Sequence, residues 1–316
     1  MLNFKEVYIN AHFTVVGPEE RAADLKNADI YLDDYYYGEK TIENAEVKMQ
    51  KVVLNNLTKL YKPNLVVGGE LSHELAITSM NLQDRGIPFL GLFSACAVSA
   101  EGLIVLGNFI TNRAIKEGIL ITSAHNLTVE KTFRFPIEYG APKPIRSSFT
   151  ATGAVGISVS NKPSNLKLVN GTIGAIVDSG IKDALNMGAV MAPSTVDTLI
   201  EHLKNSKTTV SDYDLIMTGD LGKVGTDIFK ELLQKNHNIK LTNHLDGGMN
   251  LYKNDEYSGA SGPIVAPLIL FTKVLPNKKY KKILYLATGA LMSPNLVNQK
   301  NSIPAVTHAV TLEVLA

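Results

Sequence analysis

Asn64-Leu65-Val66-Val67-Gly68-Gly69-Glu70-Leu71 decides the fold, because Asp214-Leu215-Ile216-Met217-Thr218-Gly219-Asp220-Leu221 repeats its pattern. Each follows a helical stretch. Each reads as a buried strand ending in glycine, a carboxylate and leucine before another helix. A second echo runs in the same order: Gly118-Ile119-Leu120-Ile121-Thr122-Ser123-Ala124 against Lys282-Ile283-Leu284-Tyr285-Leu286-Ala287-Thr288. The offsets are about 150 and 165 residues, so two matched halves meeting around Val169 to Ile176 account for both. We expect a first half at 1–172, which holds the cysteine turn, and a second at 173–316.

Apolar, β-branched runs at Asn64–Gly68, Phe89–Phe93, Gly118–Ser123, Leu215–Gly219 and Ile283–Thr288 predict strands. Between them, Ile42–Tyr61 predicts an amphipathic helix with a stripe of Val47, Val52, Val53, Leu57 and Leu60. Alternating strands and helices mean an α/β fold with mainly parallel strands. In such a sheet the strand ends collect at one edge, where ligands bind.

The chain's single cysteine lies in Ile87-Pro88-Phe89-Leu90-Gly91-Leu92-Phe93-Ser94-Ala95-Cys96-Ala97-Val98-Ser99-Ala100-Glu101-Gly102. Phe89–Phe93 reads as a strand buried on both faces, and Ala97–Phe109 as the helix after it. A thiol in the first turn of a helix meets unpaired N–H groups and the positive end of the dipole. Both lower its pKa and favour an anion beside it. The alternative is an inert core thiol.

The same edge gathers other polar residues. His125, in the turn Ser123-Ala124-His125-Asn126, reads as a ligand-orienting residue or base, or equally as a satisfied structural histidine. Asp220 suits the floor of a pocket or the cap of the following helix, and Glu70 suits a cap. Lys131 to Arg146 is too rich in proline for a regular element and carries four cations. It reads as a binding loop for an acidic ligand, or as a solvated crossover. Tyr257-Ser258-Gly259-Ala260-Ser261-Gly262-Pro263 opens an apolar helix. It offers hydroxyls and backbone donors to an oxyanion, or plain glycine-rich packing.

Bulk properties narrow the class. With 45% hydrophobic and 19% charged residues in 316, the chain has the composition of a globular protein. A net charge of +1 provides no electrostatic drive toward nucleic acid. One cysteine excludes an intramolecular disulfide and, with seven scattered histidines, argues against a zinc site. There is no Walker loop, dinucleotide fingerprint, nucleophile elbow or zincin helix. Met1-Leu2-Asn3-Phe4-Lys5-Glu6 lacks the features of a signal peptide. The longest apolar stretch, Gly259–Thr272, holds two prolines and falls short of the ~18 residues that span a bilayer. We expect a soluble or peripheral protein.

The duplicated halves, the cysteine turn, Thr152-Gly153-Ala154-Val155-Gly156-Ile157 and Tyr257-Ser258-Gly259-Ala260-Ser261-Gly262 together resemble the thiolase and ketoacyl-synthase superfamily. Closer blocks are Ser123-Ala124-His125-Asn126, Phe133-Arg134-Phe135-Pro136, Glu138-Tyr139-Gly140, Asn186-Met187-Gly188-Ala189 and Met191-Ala192-Pro193. They continue through Tyr213-Asp214-Leu215-Ile216, Thr218-Gly219-Asp220-Leu221, Ala287-Thr288-Gly289-Ala290-Leu291-Met292-Ser293-Pro294, Ser302-Ile303-Pro304 and Thr307-His308-Ala309-Val310. From about Pro63 to Glu313 these are similar to the stage V sporulation protein AD family of spore-forming bacteria.

That resemblance implies five layers, α/β/α/β/α, two pseudo-equivalent halves and a homodimer formed through the first-half sheet. It implies a non-catalytic protein that binds dipicolinic acid (pyridine-2,6-dicarboxylate) during uptake into the developing spore. The implied partners are the other dipicolinate-channel proteins of the spore inner membrane, where this chain is soluble or peripheral. No cofactor is implied; calcium enters only as the dipicolinate chelate. Catalytic relatives pair the cysteine with His and Asn or two His. Here Thr218-Gly219-Asp220 and Tyr257-Ser258-Gly259 match those positions, so a carboxylate replaces the imidazole and serine or glycine the amide. An ionised aspartate donates no hydrogen bond to an oxyanion. Ser261-Gly262-Pro263-Ile264 stands where the family has further cysteines. The expected ligand-binding residues are Cys96, His125, Asn126, Lys143, Arg146, Asp220, Ser258 and His308. Two alternatives remain open: an acyltransferase acylated on Cys96 from coenzyme A or carrier-protein thioesters, and a channel scaffold without ligand.

Overall fold

The two echoes hold in three dimensions. The computed structural model describes residues 1–23, 25–133, 143–252 and 257–315. Its first strands are β1 (Leu2–Asn3), β2 (Tyr8–Val16), β3 (Ile30–Tyr31), β4 (Leu65–Gly69), β5 (Phe89–Gly91), β6 (Glu117–Ala124) and β7 (Ser148–Thr150). The rest are β8 (Gly153–Ser160), β9 (Leu166–Thr172), β10 (Leu215–Thr218), β11 (His244–Asp246), β12 (Gly259–Ser261), β13 (Lys282–Ala290) and β14 (Ala305–Val314). The main sheet runs β11-β10-β13-β14-β9-β2-β8-β6-β4-β5.

Within that path one five-strand arrangement occurs twice. In each set the second and third strands to appear are parallel neighbours, the fourth lies parallel on the other side, and the fifth and first follow antiparallel. The echoed segments become β4 and β10, then β6 and β13. Each stands at the same place in its set. The sets join where Tyr8 and Ile9 of β2 pair with Lys167 and Leu166 of β9. Because β9 belongs to the second set, the seam of the repeat lies at 161–165, before the expected division at 172/173.

Helices complete five layers. They include α1 (Pro18–Ala22), α2 (Ile42–Leu60), α3 (Ala76–Leu82), α4 (Val98–Thr111), α5 (Asn126–Phe133), α6 (Met187–Ser206), α7 (Gly222–His237), α8 (Gly247–Leu251) and α9 (Val265–Ile269). Between the two sheets, Leu103 and Leu106 of α4 and Leu268 and Ile269 of α9 share one core with Leu120, Val155, Tyr285 and Val310. Outside the first sheet, Met49, Val53 and Leu57 of α2 and Leu82 of α3 pack on Val15, Val66, Ile119 and Ala154. Outside the second, Val190 and Leu199 of α6 and Phe229 and Leu233 of α7 cover Ile216, Leu284 and Ala309.

Two local expectations are corrected. Thr41 caps α2 by accepting from Asn44 N–H at 3.2 Å. The buried stripe of that helix is Ala45, Met49, Val53 and Leu57 with Leu54, while Leu60 is 75% exposed. The stripe follows the close approach of α2 to β8, where a Cβ on Gly156 would stand 2.5 Å from Val53 and 2.7 Å from Leu57. The second correction concerns Phe89–Phe93. Only Phe89–Gly91 is strand, and it lies at the end of the sheet with Leu90 41% and Phe93 69% exposed, not buried on both faces.

Candidate functional site: a thiol facing a buried carboxylate

After β5 the chain makes a single 3-10 turn over Ala95–Ala97 before α4 begins. Ala95 takes φ +50°, a left-handed conformation that disfavours any side chain and persists only where the surroundings impose it. The second half supplies that constraint at Gly289 in β13. A Cβ there would stand 2.2 Å from the Ser94 carbonyl oxygen and 3.1 Å from the Cys96 nitrogen. Only glycine lets β13 lie against the cysteine turn, so Cys96 is held between the two halves.

Asp220 follows β10 and is buried. Its Oδ1 accepts from Thr288 Oγ1 at 3.0 Å and its Oδ2 from Gly262 N–H at 3.1 Å. The Cys96 thiol faces the same carboxylate and hydrogen-bonds to it. Burial pushes Asp220 up to about 6, against the lowering effect of these donors. The thiol is driven well above its ordinary value, first by burial and then by the charge and hydrogen bond of Asp220, with Gly262 N–H opposing. The expected helix-terminus effect is therefore overridden. Desolvation and a like-charged neighbour both penalise a thiolate, and together they exceed the pull of the dipole. The surroundings of Cys96 thus favour the thiol over the thiolate.

Two further carboxylates anchor the strand ends. Glu70 follows β4, and its Oε1 accepts from Ser72 Oγ (2.8 Å), Ile77 N–H (3.1 Å) and Thr78 N–H (3.2 Å). Its Oε2 accepts from Thr78 Oγ1 at 2.5 Å. It caps α3, as expected. In the second half the cap is not Asp220. The first amides of α7 region, Leu221 and Gly222 N–H, donate to Asp246 at 3.1 and 3.0 Å. Asp246 also accepts from Thr218 Oγ1 at 2.7 Å and Met249 N–H at 3.0 Å. Its burial pushes it up to about 7.

Cys96 and Asp220 lie on the wall of a cavity of about 390 Å³ that both halves line. Glu70, Leu71 and Phe93 belong to the first half, Val129, Glu130 and Phe133 to α5, and Met187 and Met191 to α6. Of the eight expected ligand residues the cavity brings together Cys96, Lys143 and Asp220. Lys143 pairs with Glu130, and its ammonium lies 5.3 Å from the centroid of Phe149 and 5.9 Å from that of Tyr257.

The other five lie elsewhere and serve the backbone or the surface. His125 Nδ1 accepts from Leu127 N–H at 3.2 Å, so Nε2 carries the proton donated to the Tyr35 carbonyl at 2.8 Å. Burial lowers its pKa and keeps it neutral. Asn126 donates through Nδ2 to the Thr150 carbonyl at 3.2 Å. Ser258 caps α7, with Oγ accepting from Val224 N–H at 3.1 Å. His308 accepts from Gly174 N–H at 3.2 Å, and burial lowers it to about 4. Arg146 pairs with Asp183 at 2.8 Å on the surface. The centre of the expected binding loop, 134–142, lies outside the described residues. No cluster of His, Cys, Asp and Glu suited to a metal occurs among the described residues. No helix among them is long and apolar enough to cross a membrane.

Sequence reasoning missed Glu130 and the two methionines of α6 as members of the site. A signal existed for the first: Val129, Glu130 and Phe133 share a helical face.

Comparison with known proteins agrees with this geometry. The chain is similar in fold to cerulenin-bound OleA of Xanthomonas campestris, with a TM-score of 0.65 and 13% identity over 99% of this chain and 100% of that one. It is likewise similar to 3-oxoacyl-(acyl carrier protein) synthase III, FabH, of Xanthomonas oryzae pv. oryzae. There the TM-score is 0.62 with 13% identity, over 99% of this chain and 100% of the other. At such identity the likeness shows the fold alone, which is thiolase-like as expected. In sequence it is 33% identical to the Stage V sporulation protein AD of Bacillus subtilis (strain 168), over 319 residues covering 97% of this chain and 94% of that protein. The Stage V sporulation protein AD family model matches residues 2–313. A duplicated thiolase-like sheet with a cysteine turn held between its halves thus carries the sequence of a sporulation protein, and the chain belongs to the Stage V sporulation protein AD family.

Proposed function

We propose that the Cys96 cavity binds pyridine-2,6-dicarboxylate, free or as its calcium chelate, without covalent chemistry, during uptake into the developing spore. The observation that carries this reading is the cavity wall itself, which sets the buried carboxylate of Asp220 beside Cys96 and holds no histidine among the described residues. A nucleophilic cysteine needs its thiolate, and here the nearest charged group opposes one. No histidine lines the cavity among the described residues, so the imidazole that activates such a thiol has no counterpart there.

The lining suits a flat ligand with two carboxylates. Apolar walls from Phe133, Met187 and Met191 accept a ring, and Lys143 offers a charge-assisted contact to one carboxylate. Asp220, near 6, takes up a proton in mildly acidic conditions and then donates to a second carboxylate; with calcium bound to the ligand its charge is an asset instead. Partnership with other dipicolinate-channel proteins at the spore inner membrane rests on family membership. A homodimer through the first-half sheet draws support from β5, which ends that sheet and exposes Leu90 and Phe93. Light scattering of the purified chain reads it directly, a monomer being the outcome that removes it.

An acyltransferase is the second reading, favoured by Cys96 lying in a left-handed turn at a helix start in a fold shared with OleA and FabH. One experiment separates the two. Thermal unfolding is followed with dipicolinate, with and without calcium, beside acetyl coenzyme A, and the protein mass is read after each incubation. A ligand at a hundredfold its Kd stabilises by about 2.7 kcal/mol, a rise of about 4 °C for a chain this long. A saturable rise with dipicolinate and an unchanged mass is expected. An acetylated Cys96 without any dipicolinate shift would replace binding with acyl transfer.

A further inference from the structure

The two faces of α5 meet different neighbours. On one, Thr128 Oγ1 donates to Glu46 Oε2 of α2 at 3.1 Å and Lys131 pairs with Glu43 at 2.7 Å. On the other, Val129, Glu130 and Phe133 line the cavity. The helix is tied to α2 and holds a carboxylate at the ligand site. That carboxylate pairs with Lys143, and the two side chains are only 14% and 10% exposed. Phe149 and Tyr257 flank the ammonium independently of Glu130, a cation–π arrangement that keeps the cation in place whichever anion faces it.

The charges around the cavity make Glu130 decisive. Lys143 is the only cation among the described lining residues, against Glu70, Glu130 and Asp220. Glu70 is occupied with α3, and Asp220 with Thr288, Gly262 and the thiol. Among the described residues a ligand carboxylate finds its cation in Lys143, and there it competes with Glu130 for the same ammonium. We infer that Glu130 is an internal competitor for the ligand, a carboxylate that holds Lys143 in the empty cavity and is exchanged for one carboxylate of dipicolinate. This rests on the binding function proposed above. One ion pair replaces another, so the exchange itself contributes little affinity. A monocarboxylate gains almost nothing from it, whereas a ligand with a ring and a second carboxylate binds through its remaining contacts. Glu130 thereby sets specificity.

Calorimetric titration of dipicolinate into the full-length wild type, Glu130→Gln and Lys143→Met tests this, with circular dichroism checking each fold. Removing the competitor leaves a shielded ammonium without its anion, and a charge-assisted hydrogen bond no longer has to be broken. Glu130→Gln should bind about tenfold tighter or more, and its preference for dipicolinate over pyridine-2-carboxylate should narrow. Lys143→Met should lose binding, and Lys143→Arg, which keeps the charge, should retain it. Should Glu130→Gln fold poorly, Glu130→Asp, with a shorter reach, should show a smaller gain in the same direction. If the wild type binds and neither Glu130 variant binds tighter, the competitor role is overturned while the dipicolinate cavity stands. If neither the wild type nor any Glu130 variant binds, both fall together.

Discussion

Glu70 and Asp220 occupy the same place in the two halves, each directly after a glycine where its strand finishes, yet they do different work. Glu70 spends both oxygens on the start of α3. Asp220 leaves the start of α7 alone and faces Cys96. The cause lies on the neighbouring strand. Gly68 of β4 pairs with Gly91 of β5, which has no side chain to offer. At the equivalent register Thr218 of β10 pairs with Asp246 of β11, and that carboxylate takes the helix amides. One residue on an adjacent strand relieves Asp220 of capping and makes it available to the site. In a duplicated fold, then, the role of a repeated motif is set by what stands beside it.

The strongest way to break this comparison is Asp246→Ala. It strands the Leu221 and Gly222 N–H groups in the interior and removes partners of Thr218 Oγ1 and Met249 N–H, and each unmet buried group costs about 1–3 kcal/mol. We expect a loss of about 3–5 kcal/mol in urea denaturation. A loss below about 1 kcal/mol would mean that Asp246 is not the cap.

Asp220→Asn sharpens the comparison through pH. The folded protein holds the Asp220 proton up to about 6, above the ordinary 3.8, so between those values the native state binds more protons than the unfolded chain. Stability from this group is therefore full below about 4, falls as pH rises through 6, and stays reduced above. The swing is at most about 3 kcal/mol. Wild type minus variant, measured by denaturation at pH 4.5 and 7.5, should fall with pH. The buried carboxyls Glu20 and Glu46 cancel in that difference, while Asp246, which the charge of Asp220 helps to raise, changes it in the same direction. A flat difference would show Asp220 ionised throughout.

The smallest effect is expected at Arg146→Ala. Its ion pair with Asp183 is exposed, and such pairs contribute about 0–1 kcal/mol. Dipicolinate affinity should not change. A clear drop would place Arg146 in the cavity and blur the line between wall and surface.

Much of the fold was legible in the residues. A strand buried on both faces must be apolar without interruption, so β4, β6, β10 and β13 announce themselves, and their order reveals the duplication. β5 looked like them because an edge strand that exposes apolar residues has the same composition as a buried one. The stripe of α2 was misplaced for a related reason: Leu60 is apolar, but the surface that selects the buried face belongs to β8.

The site was legible in part. Cys96, Lys143 and Asp220 were found and do share the cavity. His125, Ser258 and His308 have suitable chemistry near strand and helix ends, yet each accepts a nearby amide. Backbone N–H groups without a partner in a helix or strand, as at the starts of helices and the ends of strands, claim such side chains as acceptors before any ligand can.

By itself the sequence determined the α/β class, the repeat, the strand that precedes the cysteine and the turn that presents it. These depend on local periodicity and on which residues tolerate burial or a tight turn. The tertiary structure alone decided that the thiol sits beside a buried carboxylate that opposes its ionisation, that Asp246 and not Asp220 caps α7, and that Glu130 reaches Lys143. Those outcomes depend on desolvation and on contacts between segments up to about 120 residues apart, distances over which a charge has no influence until folding removes the water between.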